Sequence, residues 1–141
     1  MKTGLRKYFA IGIFAVLVTT TIGVWYQVFY LEKHHHKVFV HVFDIGQGDG
    51  ILIETPDGKQ VLIDGGPGKA ILSKLGSNLL PWDRHIDFLI LTHPHADHLD
   101  GLLEVLKRYD IGMVMESGVL HSLPEYDGWH RMLQERQIPI I

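Results

Sequence analysis

The residues most able to do chemistry stand close together in Thr92-His93-Pro94-His95-Ala96-Asp97-His98. Imidazole and carboxylate are ligands that zinc, manganese and iron select, and this segment carries four of them within six residues. A catalytic zinc ion usually takes about three protein ligands and keeps one position open, so this set fits two adjacent ions better than one. The alternative is a solvated His-rich loop in which Asp97 merely caps a helix.

An unbroken apolar stretch, Phe88-Leu89-Ile90-Leu91, leads into this segment and predicts a buried strand over Asp87–Thr92. Open α/β sheets place their ligand sites at the carboxyl ends of strands, which is where the histidines emerge. Pro94 disfavours helical backbone at the residue before it, so the first two histidines belong to an extended turn whose side chains can converge. The last two ligands then fall at the start of a helix predicted over Leu99–Tyr109.

The elements around this site follow an α/β order. Three strands and a helix precede the site strand, and a strand, a helix and a strand follow the site helix. Their predicted bounds are Val38–Asp44, Gly50–Thr55, Gln60–Asp64, Lys69–Leu75, Ile111–Met115, Pro124–Gln137 and Ile138–Ile141. The loop Gly46-Gln47-Gly48-Asp49-Gly50 fits neither the P-loop nor the dinucleotide-binding pattern. We interpret it as a tight strand connection near the metal site rather than as a phosphate cradle.

The segment His93-Pro94-His95-Ala96-Asp97-His98 resembles the HxHxDH signature of the metallo-β-lactamase-fold hydrolases. Three further segments are similar to the extracellular hydrolase domain of bacterial DNA-uptake competence channel proteins: FDIGQGDG over 43–50, ILIETPDG over 51–58 and VLIDGG over 61–66. The resemblance runs from about Val38 to the end of the chain. It implies an αββα sandwich that binds two metal ions, usually zinc, with manganese or iron as alternatives.

The same resemblance implies roles for individual residues. His93 and His95 would hold the first metal, Asp97 and His98 the second, and Asp64 would lie beside the site and help to orient it. The nucleophile would be a water activated by the two metals, which makes Asp97 and Asp64 the candidate catalytic residues. The implied substrate is a phosphodiester in DNA.

Two departures from the family pattern stand out. The family commonly follows the last histidine with one apolar residue and Gly-Gly, whereas this chain has Leu99-Asp100-Gly101. The family also completes its site with a later Gly-Asp and a later His-His-Gly-Ser, and neither occurs from Leu102 to Ile141. About 110 residues follow the apolar N-terminal segment, which is short for a two-layer sandwich. We therefore expect the N-terminal half of a metallo-β-lactamase αββα domain, preceded by one transmembrane helix.

The N-terminal segment predicts a membrane anchor. Residues 8–31 carry no charge, and a bilayer core needs roughly 20 predominantly apolar residues. Lys2, Arg6 and Lys7 precede the segment and place the N-terminus in the cytoplasm, although Lys33 and Lys37 flank its other end. We expect a cytoplasmic segment 1–7, a single-pass anchor 8–31 in the lipid bilayer of the cell membrane, a linker 32–37 and an extracytoplasmic domain 38–141.

Two alternatives to the anchor remain open. A cleaved signal peptide shares the basic and apolar regions, but no A-x-A-like cleavage site follows and the apolar stretch is long. A buried core helix is the other alternative, and the run Thr19-Thr20-Thr21 keeps it open, because three β-branched hydroxyl residues are poor helix formers in water. His34-His35-His36, between anchor and domain, is interpreted as a solvated linker with incidental metal binding.

Composition constrains the partners. Cysteine is absent, so any metal must be held by nitrogen and oxygen. Beyond Leu31 there are ten Lys and Arg against sixteen Asp and Glu, whereas nucleic-acid binders usually present a basic face. The motif, the resemblance and the N-terminal segment together leave three hypotheses. The first is a membrane-anchored two-metal phosphodiesterase or nuclease related to DNA uptake. The second is a small ester, thioester or lactam hydrolase of the same fold, and the third is a non-catalytic metal-binding module.

Overall fold

The computed structural model describes the backbone of residues 2–34, 37–119 and 124–141, and the side chains of residues 7–29, 37–119 and 124–141. The chain divides into two compact units, residues 1–36 and residues 37–141. In chain order the elements are α1 (Lys2–His34), β1 (Phe39–Val42), β2 (Ile51–Glu54), β3 (Gln60–Ile63), α2 (Ala70–Asn78), β4 (His85–Leu91), α3 (Ala96–Leu106), β5 (Asp110–Glu116) and α4 (Pro124–Glu135). This order matches the predicted order of strands and helices, and the α/β class is confirmed.

The first unit consists of the helix α1. Within it the segment Lys7–Phe29 has 23 residues and a mean hydropathy of 1.9, so by length and composition it can cross a membrane. The side chains of this segment are exposed. α1 continues through His34 into the predicted linker 32–37, of which residues 35 and 36 lie outside the described residues.

Three consecutive threonines stand in the middle of this apolar helix, and each satisfies its hydroxyl internally. Thr19 Oγ1 donates to Ala15 O at 3.0 Å, and Thr21 Oγ1 donates to Leu17 O at 2.7 Å, one turn earlier in both cases. Thr20 makes the equivalent bond. Such bonds matter in a medium without water, because every polar group there needs a partner inside the protein. The threonines are therefore compatible with an apolar surrounding.

The strands of the second unit form one mixed sheet in the order β1-β2-β3-β4-β5. The first three strands are antiparallel neighbours joined by short connections, whereas β3, β4 and β5 run parallel because α2 and α3 cross between them. Ile63 lies opposite Ile90, so β3 and β4 end at the same edge of the sheet. The predicted final strand begins with a parallel bridge from Ile140 to Val114 of β5.

One face of this sheet packs against the helices. Leu62 and Leu89 of the central strands share a buried cluster with residues of α2, α3 and α4. Trp129 of α4 is fully buried in this cluster, and its indole N–H donates to Glu116 Oε2 at 3.0 Å. This packing fixes α3 against the sheet and thereby places its first turn beside the ends of β3 and β4.

The opposite face, which we call the open face, is apolar and accessible to solvent. Strand pairing places ten side chains on it, all half-buried or exposed: Val40, Val42, Ile51, Ile53, Val61, Ile63, Phe88, Ile90, Met113 and Met115. Sheets with parallel strands are ordinarily covered on both faces. The open face therefore fits one half of the predicted αββα sandwich, in which a second sheet packs on it.

The bounds of the site helix differ from the prediction. α3 begins at Ala96 rather than Leu99, and it ends at Leu106 rather than Tyr109. His95 caps the helix with extended backbone at φ −88° and ψ 150°, so helical geometry starts directly after it. Pro94 restrains the residue before it and not the residues that follow. Asp97 and His98, expected at the start of this helix, lie in its first turn.

Candidate metal centre

Two strand ends meet at the centre of this site. Asp64 follows β3 directly, and its backbone N–H donates to Ile90 O of β4 at 2.9 Å. Asp64 is 1% exposed and has a φ of 55°, a left-handed conformation that is uncommon for a residue other than glycine. This local bend ends the strand and leaves the carboxylate buried beside Thr92, the first residue after β4.

The Asp64 carboxylate is a hydrogen-bond acceptor for two elements. Its Oδ1 accepts from Thr92 N at 2.9 Å, and its Oδ2 lies 2.6 Å from Thr92 Oγ1 and 2.8 Å from His98 Nδ1. His98, in the first turn of α3, is itself only 7% exposed. Because hydrogen bonds to a carboxylate are among the stronger ones in proteins, Asp64 ties the loop after β4 to the start of α3.

These bonds assign the protons on two of the histidine rings. A carboxylate oxygen can only accept, so the His98 nitrogen that faces Asp64, Nδ1, carries the proton. The single hydroxyl proton of Thr92 goes to Asp64, so the 2.9 Å contact between Thr92 Oγ1 and His93 Nδ1 requires His93 to donate. Neutral His93 and His98 therefore both keep the lone pair of Nε2 for a ligand.

The three imidazole rings of the motif gather at this edge of the sheet. The His93 ring centroid lies 3.9 Å from that of His98 and 4.6 Å from that of His95. His98 is buried, His93 is half-buried and His95 is exposed, so the group reaches solvent on the side of His95. Asp97 lies in the first turn of α3 and is half-buried.

The sequence profile of the Metallo-beta-lactamase superfamily matches residues 43–137, which is more than half of the chain. The chain belongs to the metallo-β-lactamase superfamily. Members of this superfamily are generally hydrolases, and their fold implies metal binding, typically of zinc. The match includes the HxHxDH segment, the Asp64 turn and the glycine-rich loop.

Individual relatives match over shorter stretches. Hydroxyacylglutathione hydrolases from Xylella fastidiosa strains M12 and M23 are each 37% identical over 55 residues, which is 39% of this chain and 19% of theirs. The solved structure of the metallo-β-lactamase SMB-1 bound to 2-mercaptoethanesulfonate has a TM-score of 0.46 at 20% identity, over 54% of this chain and 29% of that one. The Rm3 metallo-β-lactamase has a TM-score of 0.45 at 24% identity, over 54% of this chain and 28% of that one. The matches thus span less than a third of these proteins.

The residues present fit the metal that the superfamily implies. Their donors are nitrogen and oxygen, which suit zinc, manganese and iron. In metal sites a ligating histidine usually donates its other ring N–H to a carboxylate or another acceptor, which fixes the ring and strengthens the ligand. Asp64 gives His98 this arrangement, and the Thr92 hydroxyl gives it to His93.

One residue of the centre was missed by the sequence prediction. Within the described residues, one group of three potential ligands has its ligand atoms within 4.8 Å of one another, and it consists of Asp49, Asp64 and His98. Asp49 comes from the glycine-rich loop 46–50 between β1 and β2. The loop was expected near the site, but its carboxylate was not singled out as a candidate ligand. The available signal was a carboxylate between two glycines, Gly48 and Gly50.

Backbone contacts between glycines hold the site elements together. A Cβ on Gly101 of α3 would lie 1.9 Å from Gly65 O, so these two chain segments touch without side chains between them. Gly65 N donates to His98 O, and Gly101 N donates to Gly66 O, both at 2.9 Å. The segment Leu99-Asp100-Gly101, which departs from the family pattern, therefore still has a glycine where α3 contacts the turn after β3.

The extra carboxylate of that departure, Asp100, lies beside the close contact. Asp100 is half-buried. Burial raises the pKa of its carboxyl, and the negative charges of Glu125 and Asp97 raise it further. Asp100 lies beyond the first turn of α3, whose acidic residue is Asp97, and all three influences on its pKa favour the protonated carboxyl.

Proposed function

We propose that this chain is the membrane-anchored, metal-binding part of a hydrolase that cleaves phosphodiesters, with DNA as the substrate and DNA uptake as its context. The observation that carries the proposal is the fixed orientation of His93 and His98, whose Nδ1 protons are engaged by Thr92 and Asp64. Two imidazoles held with their Nε2 lone pairs free are preorganised for a metal rather than for core packing. The HxHxDH resemblance supplies the reaction class.

In this proposal each residue has a defined task. His93 and His95 hold a first metal, and Asp97 and His98 hold a second. Bound divalent ions would supply a water of lowered pKa and neutralise charge that develops on the substrate. Asp64 keeps the His98 ring in place. Either Asp64 or Asp97 would orient the attacking water.

The choice of a phosphodiester comes from the resemblance to the competence proteins, and composition qualifies it. The excess of Asp and Glu over Lys and Arg beyond Leu31 does not favour broad electrostatic capture of DNA. Affinity for phosphate would then depend on the metal centre itself. Hydrolysis by such an enzyme is accordingly expected to depend less steeply on salt than that of a nuclease with a basic groove.

The first test is to sequence the coding DNA beyond the codon for Ile141. A continuing frame with Gly-Asp and then His-His-Gly-Ser would encode the remaining ligands of the family pattern, and its product is the protein to assay. A stop codon directly after Ile141 would instead favour the third hypothesis, a non-catalytic metal-binding module. That hypothesis predicts bound metal without turnover even when every downstream ligand is present.

The second test compares substrates. The product is assayed with bis-nitrophenyl phosphate and single-stranded DNA, with a hydroxyacylglutathione thioester, and with a chromogenic lactam. We expect phosphodiester turnover that His95→Gln lowers at least about a hundredfold, as expected for loss of a metal ligand. His85→Gln is the matched control, because His85 is an exposed histidine at the opposite end of β4. Turnover of the lactam without the phosphodiesters would contradict the proposal.

The second candidate function is thioester hydrolysis. The observation that favours it is the 37% identity over 55 residues to the hydroxyacylglutathione hydrolases. It predicts that the thioester is cleaved and that DNA is not. In the thioester assay, His95→Gln should again lower turnover, and His85→Gln is again the control.

A further inference from the structure

We propose that Asp49 is an additional metal-binding residue of this centre and reaches it from the loop between β1 and β2. The inference rests on the proposed function in so far as a divalent metal occupies the motif. A ligand atom of Asp49 lies within 4.8 Å of one from Asp64 and one from His98. Asp49 therefore adds a carboxylate from a third segment to a centre otherwise built from the ends of β3 and β4 and the start of α3.

The backbone of the loop is shaped for this approach. Gly46 and Gly48 have φ values of 88° and 86°, which a residue with a side chain rarely adopts. A Cβ on Gly48 would lie 1.8 Å from Asp97 O, so the loop lies directly on the first turn of α3. Phe43 N donates to Gly50 O at 2.8 Å and closes the base of the loop. Gly48 thus brings the next residue, Asp49, to the metal centre.

Of the two carboxylates in the group of Asp49, Asp64 and His98, that of Asp49 is better placed to bind an ion. Both oxygens of Asp64 are already engaged by Thr92 and His98, and Asp64 is buried. Asp49 is exposed, so its charge does not have to be removed from water before the ion arrives. A divalent cation would then join the β1–β2 loop to α3, and the ligand chemistry remains nitrogen and oxygen, as zinc and manganese accept.

The test measures metal binding rather than turnover. The full chain is purified in detergent without a histidine tag, with His34, His35 and His36 replaced by glutamine so that the tract cannot compete for metal. Affinity for Zn²⁺ is measured by competition with a chromophoric chelator, and the coordination of Co²⁺ is followed by its visible absorption. Asp49→Asn is compared with Asp44→Asn, an exposed carboxylate from the same loop region with the same change of charge.

We expect Asp49→Asn to weaken Zn²⁺ binding at least about tenfold and to alter the Co²⁺ spectrum, while Asp44→Asn changes neither. Unchanged affinity and spectrum in Asp49→Asn, with the parent chain binding metal, would overturn this inference alone. Equal weakening by both variants would also overturn it, because that result indicates a general effect of charge. A parent chain that binds no metal would overturn this inference, whereas the proposed function is decided separately by the turnover of the product of the continuing frame. Melting in metal-free buffer checks that Asp49→Asn folds like its parent.

Discussion

Replacing Asp64 with asparagine should destabilise the domain and weaken its metal binding together. The carboxylate accepts hydrogen bonds from Thr92 N, Thr92 Oγ1 and His98 Nδ1 at 2.9, 2.6 and 2.8 Å. An amide of the same shape has one accepting oxygen and one donating nitrogen. If its oxygen takes the place of Oδ2, its NH₂ faces the Thr92 N–H, and two donors oppose each other in a buried place.

The flipped amide is no better. Its NH₂ would then face His98 Nδ1, which would have to become the acceptor and move the ring proton to Nε2, the nitrogen needed for a metal. Losing one charge-assisted bond and leaving one buried donor unpaired should lower the free energy of unfolding by about 3 kcal/mol. Loss of the partner that orients His98 should weaken metal binding by about 10- to 100-fold.

Urea unfolding of the chain in a fixed detergent, followed by tryptophan fluorescence, measures the first effect, because Trp129 is fully buried in the domain core. Chelator competition measures the second effect. Asp44→Asn is the control, since Asp44 is exposed. A loss below about 1 kcal/mol in metal-free buffer, or unchanged metal affinity, would refute the assignment of Asp64 as the residue that orients the site.

Three further predictions concern the rest of the chain. Gly101→Ala should lower the free energy of unfolding by at least about 2 kcal/mol, because its methyl group would meet the backbone of Gly65. Gly76→Ala should raise the free energy of unfolding by about 0.5–1 kcal/mol, because Gly76 lies on α2 with open space around it. Urea unfolding distinguishes the two, and equal effects would contradict the close contact. Ser77→Cys should react with a membrane-impermeant maleimide on intact cells if the domain is outside. The chain has no native cysteine, which keeps background labelling low. Labelling only after lysis would contradict the proposed orientation. Because its open face leaves apolar side chains accessible, the purified chain should self-associate in sedimentation velocity. Phe88→Lys on the open face should weaken that self-association about tenfold, whereas Trp82→Lys, at an exposed residue outside that face, should not; equal behaviour would argue against the open face as the contact.

The sequence predicted the elements of the site better than its contacts. The unbroken apolar stretch before His93 located β4, and its carboxyl end is where the histidines gather. The presence of Asp64 at the end of a neighbouring strand was also predicted, because alternating and apolar patterns identify strands locally. Its hydrogen bonds depend on how β3 and β4 pair, which no local pattern encodes.

The sequence did not predict Asp49 as a candidate ligand or the correct first residue of α3, for different reasons. Asp49 reaches the centre through a backbone contact of Gly48 with Asp97 O, and a contact between distant segments leaves no periodic signal. The start of α3 was placed three residues too late because the apolar helical pattern begins at Leu99, whereas Ala96, Asp97 and His98 add no apolar residue to that pattern. The first failure concerns tertiary packing, and the second concerns the bounds of a helix, which a periodic pattern locates only to within a few residues.

The direct backbone contact between Gly65 and Gly101 fixes the spacing of the two buried residues of the centre, Asp64 and His98. Asp64 and His98 belong to segments that touch without intervening side chains, so thermal motion should carry them together and preserve their spacing. His95 and Asp49, by contrast, stand on the solvent side. An ion arriving from solution would therefore meet the exposed His95 and Asp49 first and the buried His98 last. Exchange of one ion for another should then depend first on His95 and Asp49, whereas selectivity among ions should depend on His98, whose ring Asp64 holds in place.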